Sequence, residues 1–74
     1  MNIQLSSKLA KLGARLAAVG RRNRDLADRI EAVERQPAHD PIALRRLKRE
    51  KKRVESEVHY CEGMLRSLTR GMSV

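Results

Sequence analysis

The side chains of this chain that could take part in chemistry are few, and their spacing limits what they can do. Its histidines are His39 and His59, and its single cysteine is Cys61. His59 and Cys61 stand two positions apart, which on a helix points them in different directions, and His39 is remote from both, so no metal-ligand spacing arises. Cys61 is followed by Glu62, whereas a reactive thiolate needs an electropositive neighbour, so the cysteine reads as a small hydrophobe. No nucleophile–base set, glycine-rich phosphate loop or inward carboxylate pair can be found. The expectation is a non-enzymatic protein with no cofactor and no metal. The one segment with binding chemistry is the basic run from Arg45 to Arg53. Within it Arg45, Arg46, Lys48, Arg49, Lys52 and Arg53 are candidates for holding phosphates, in a contact that salt would weaken strongly. The run lacks interleaved aromatic groups and any base-reading motif, and the bland alternative is a solvated helix face.

The elements that would position these residues are announced by two apolar seams. Leu5, Leu9, Leu12, Leu16, Val19, Asn23, Leu26, Ile30 and Val33 are spaced alternately four and three. Leu44, Leu47, Lys51, Val54, Val58, Cys61, Leu65, Leu68 and Met72 are spaced alternately three and four. The mean spacing is that of a left-handed coiled coil. Each position in one seam has a counterpart in the other whose residue numbers sum to 77, from Val33 with Leu44 out to Leu5 with Met72. A chain folded back on itself would place each pair at one level, so the spacing predicts an all-α, two-helix antiparallel coiled-coil hairpin in a single domain of residues 1–74. The polar interruptions Asn23 and Lys51 fall at a positions, where a polar residue lowers stability and sets register. Lys51 is expected to lay its stem over the seam with its ammonium in water.

Local signals place the helix ends. Helix one is expected over about 4–36, with its start among residues 2–7, and must stop before Pro37, which disfavours helical geometry in the residue ahead of it. The connector is 37–40. Asp40-Pro41 reads as an N-cap followed by proline at the first helical position, and helix two is expected over about 41–70, ending at Gly71. The short connector forces antiparallel neighbours. Domain swapping into a rod that pairs with a second chain would use the same seams, and Pro37 argues against it.

On the flanks, the g positions of helix one are Lys8, Arg15, Arg22 and Arg29, and those of helix two include Glu50 and Glu57. This predicts Arg29 opposite Glu50 and Arg22 opposite Glu57, exposed pairs that orient more than they stabilise. A ladder of small residues, Ala10, Gly13, Ala17, Gly20 and Ala27, is interrupted by Arg24. Two glycines inside a helix cost about 1 kcal/mol each relative to alanine. Such a strip suits the close approach of another helix, most simply a second copy, giving a four-helix dimer; the alternative is a poorly optimised exposed face, or glycines shielded by Lys48, Glu55 and Glu62.

With 74 residues, one aromatic side chain and a net charge of +8, the chain allows one small domain and no large core. The two seams return less than ordering the chain costs, so self-association is the expected remedy. The charge is compatible with a polyanionic partner such as nucleic acid or an anionic membrane surface, and equally with a soluble helical surface. One cysteine permits no internal disulfide and is compatible with a reducing cytosol. No stretch is long and apolar enough for a membrane span. Residues 1–24 hold six Lys or Arg and no acidic residue, as a transit peptide would, but the heptad phase runs from Leu5 into Val33 without a break, which favours a structural role.

The stretch Leu26-x-x-Arg29-Ile30, then Arg35-x-Pro37-x-x-Asp40, then Leu44-x-x-Leu47-Lys48-Arg49-x-Lys51, closing on Glu57-Val58, resembles the YdcH-like family of small bacterial helical-hairpin proteins. The similarity covers about residues 14–58. It departs from the family after the basic run, where Lys52-Arg53-Val54-Glu55-Ser56-Glu57 replaces the usual Leu-x-Leu-Lys-Asp-Glu, and residues 59–74 extend beyond the family's usual end. The resemblance implies a bacterial, cytoplasmic, non-enzymatic hairpin, with no defined activity and no catalytic residue to carry over. The resulting expectation is a self-associating interaction or scaffold protein, the alternative being a nucleic-acid-associated protein that binds phosphates through its basic helix face.

Overall fold

The computed structural model describes residues 3–72, and side chains as far as residue 71. It is an antiparallel hairpin of two equal helices, α1 (Ile3–Glu34) and α2 (Pro41–Met72), packed along their whole length. The rod measures 57 × 14 × 14 Å between Cα extremes.

The heptad seams explain the pairing. Each described seam side chain, Leu5 to Val33 in α1 and Leu44 to Leu68 in α2, is buried or half-buried. Leu26, Ile30, Val54 and Cys61 form the buried core, which lies in the middle of the rod and towards the connector. Burying an aliphatic side chain of this kind stabilises by roughly 1.5–3 kcal/mol. Cys61 is a free thiol, 1% exposed, and behaves as a core hydrophobe. The side chain of Met72, expected opposite Leu5, lies outside the described residues.

The turn differs from expectation at its near end. α1 stops at Glu34 rather than at Gln36, and the connector occupies residues 35–40. The Arg35 N–H still reaches the Glu31 carbonyl, but the Gln36 N–H bonds the Val33 carbonyl, a tighter three-residue closure that ends the helix ahead of Pro37. At the far end Asp40 caps α2 as expected: its Oδ1 accepts a 2.9 Å hydrogen bond from the Ile42 N–H, and the Leu44 N–H bonds the Asp40 carbonyl. α2 runs through Gly71 to Met72, and no glycine takes a positive φ, so Gly71 continues the helix instead of capping it.

The flanking ion pairs join g to g, one heptad away from the expected partners. Arg22 bonds Glu50, and Arg15 bonds Glu57 at 2.5 Å, in place of Arg29 with Glu50 and Arg22 with Glu57. Each glutamate stands between two arginines of the α1 column, and a guanidinium on its flexible stem reaches along either diagonal. Each arginine takes the glutamate nearer the connector. On the opposite flank Lys48 pairs with Glu34 at 3.3 Å.

Candidate functional site

Once the seam is closed, the binding capacity of this molecule lies on the outward faces of its two helices, and these differ in kind. On α2 the outward positions of the heptad are held by Ile42, Arg45, Arg46, Arg49, Lys52, Arg53, Ser56, His59, Tyr60, Gly63, Arg66, Ser67 and Arg70. No acidic residue falls among them. All four glutamates of α2 occupy the flanks: Glu50 is engaged by Arg22, Glu57 by Arg15 and Glu55 by Lys51, and Glu62 lies beside His59. The His59 contact, at 3.6 Å, is an ion pair only when the imidazole is protonated.

Five of the six candidate phosphate-binding residues, Arg45, Arg46, Arg49, Lys52 and Arg53, are exposed and form no ion pair among the described residues. The sixth, Lys48, sits on the flank and is held by Glu34. Arg45, Lys48, Arg49 and Lys52 line a shallow open groove along the helix. Arg66 and Arg70, which a reading confined to the contiguous basic run leaves out, lie on the same outward face. The signal for them was heptad phase, because residues a whole number of heptads apart keep the same orientation relative to the seam.

The register-setting positions are both built into the seam. Lys51 lies over it with its side chain 28% exposed, and its Nζ bonds the Glu55 carboxylate. That bond and the Lys51 charge, against the opposing effect of burial and with lesser help from His59 and Lys52, hold the Glu55 carboxyl below its ordinary value. Asn23 points its Oδ1 into the interface, where it is buried without a hydrogen-bond partner.

The small-residue face of α1 divides in two. Ala10, Gly13 and Ala17 are exposed, and the neighbouring Ala14 and Ala18 widen the surface. Gly20 and Ala27 are half-buried. A Cβ at Gly13 would meet nothing within 4 Å, and one at Gly20 would meet only the Arg24 guanidinium at 3.7 Å. No atom of Lys48, Glu55 or Glu62 comes within 4 Å of either position.

No group of three or more His, Cys, Asp or Glu side chains is gathered among the described residues. No described helix is long and apolar enough to cross a membrane. Fold and surfaces together define an all-α helical hairpin with one cationic outer face and one small-residue outer face. Set against protein-family models, curated proteins and solved structures, the chain matches none.

Proposed function

We propose that this protein is a small non-enzymatic interaction protein whose first partner is a second copy of itself, docked through the exposed stretch of α1 from Ala10 to Ala18. The observation that carries this reading is the openness around Gly13, a residue whose backbone is ordinary helix and so has no conformational need of glycine. Glycine there costs helix stability and offers close approach in return. The small core supports the same reading: four buried side chains, two of them fully so, leave a hairpin with much to gain from a further apolar contact. A four-helix assembly of two hairpins would bury the alanines on both sides of Gly13. Kinship with the YdcH-like hairpins, and with it a place in the bacterial cytoplasm, belongs to this reading and is supported by the Pro37-to-Asp40 motif lying at the turn.

Solution mass by light scattering tests it. The wild-type chain is expected at twice its 8.5 kDa mass, and Gly13→Leu at the monomer mass. An added Cβ meets open space in the isolated hairpin and leucine favours helix over glycine, so the effect reports on docking rather than folding. A monomeric wild type, or a Gly13→Leu dimer of unchanged mass, would overturn the proposal.

A further inference from the structure

The cations of α2 are sorted, and the sorting is what points to a ligand. Over the 26 residues from Arg45 to Arg70, about 37 Å of helix at a rise of 1.5 Å per residue, the outward face carries Arg45, Arg46, Arg49, Lys52, Arg53, Arg66 and Arg70 with no acid among them. A solvated helix ordinarily mixes its charges through i, i+4 pairs. Here Glu50, Glu55 and Glu57 pair with Arg22, Lys51 and Arg15 of the flank and seam, while among the described residues the seven outward Arg and Lys side chains make no ion pair at all. The outer face of α1 provides the contrast within the same molecule, with Arg21 and Arg24 set among Asp25, Asp28 and Glu31.

We propose that the outer face of α2 binds double-helical nucleic acid through its phosphodiester backbone, without reading sequence. Six of the seven cations are arginines, whose planar forked guanidinium matches phosphate oxygens. An α-helix is about 10–12 Å across with its side chains and the major groove of B-form DNA is about 12 Å wide, so a stretch of α2 can enter the groove, backed by α1, while the cations beyond it meet the flanking phosphates. Single strands suit the face poorly, because stacking platforms need several aromatic groups and Tyr60 is the only aromatic residue in the chain. An anionic membrane suits it poorly too. An interfacial helix inserts an apolar side next to its cations, and the apolar side of α2 is closed against α1. This inference does not depend on self-association, since the two surfaces lie on different helices.

The test is fluorescence anisotropy with a 24-base-pair DNA duplex and the matching RNA duplex, run beside co-sedimentation with vesicles of phosphatidylglycerol and phosphatidylcholine. Binding to a duplex is expected, with log K falling against log salt with a slope of about −4 or steeper. Replacing Arg49, Lys52 and Arg53 together by Gln should weaken duplex binding at least tenfold and flatten the slope by about one unit per cation removed. The charge-matched control replaces Lys8, Lys11 and Arg21 of α1 by Gln, and should stay within about threefold of wild type, both variants keeping the wild-type helical circular dichroism. A duplex bound equally well by the two triple variants, an equal loss in both, or wild-type binding to vesicles and not to duplexes would overturn the proposal. Gly13→Leu separates it from the self-association reading, because a monomer must still bind the duplex with the same cation dependence.

Discussion

At Asn23 a polar side chain stands in a seam that is otherwise aliphatic around it, opposite Val54 in the paired register. Its place at an a position was readable from heptad phase. That its carbonyl oxygen ends up buried without a donor was not, because phase places the side chain in the seam without saying which donors reach it; the ammonium of Lys51, the other polar seam residue, bonds Glu55 on the flank. A buried acceptor left unsatisfied costs about 1–3 kcal/mol, so Asn23→Leu should raise the free energy of urea unfolding by that order. Since a seam asparagine also restricts register, the same variant should show broader amide resonances at the α1–α2 contact if alternative registers become accessible. Glu55 offers a second measurement. Its carboxyl is held below 4.5 by the hydrogen bond and charge of Lys51. A depressed carboxylate stabilises the fold above its unfolded value, and that contribution is lost as pH falls through the folded value. Carboxyl NMR should therefore place the Glu55 midpoint below 4.5, and Lys51→Met should move it upward and remove this acid-side loss.

For the elements, legibility followed how local each signal was. The Asp40-Pro41 restart is specified by two adjacent residues, and α2 begins where they say, with Asp40 accepting from the Ile42 N–H. Asp40→Ala should cost about 0.5–2 kcal/mol in thermal unfolding, with the loss in fraying of the first turn of α2. The end of α1 was less legible, since Pro37 forbids continuation without fixing where the chain leaves the helix, and the Gln36–Val33 hydrogen bond decides it. Ion-pair partners were less legible again. Heptad phase assigns Arg15, Arg22, Arg29, Glu50 and Glu57 to one flank, but a long side chain chooses between partners a heptad apart, and Arg29 is left without an ion pair among the described residues. The basic surface shows the opposite failure. A contiguous run draws attention to Lys48, which Glu34 holds on the flank, and away from Arg66 and Arg70, which heptad phase puts on the outward face with Arg49.

Taken as a whole molecule, the hairpin spends its apolar residues on one narrow seam and leaves two long sides of contrasting character. The rod also has a consequence for how its size is perceived. A compact domain of 74 residues has a radius of gyration of about 11 Å, whereas this chain has 16.8 Å. Under the same scaling, 16.8 Å belongs to a globular protein of about 210 residues. A single hairpin in small-angle scattering would thus imitate a compact trimer, and on a calibrated sizing column it would run well ahead of its true weight. Apparent size confuses elongation with assembly for this shape, and only a measurement sensitive to mass alone can count its subunits.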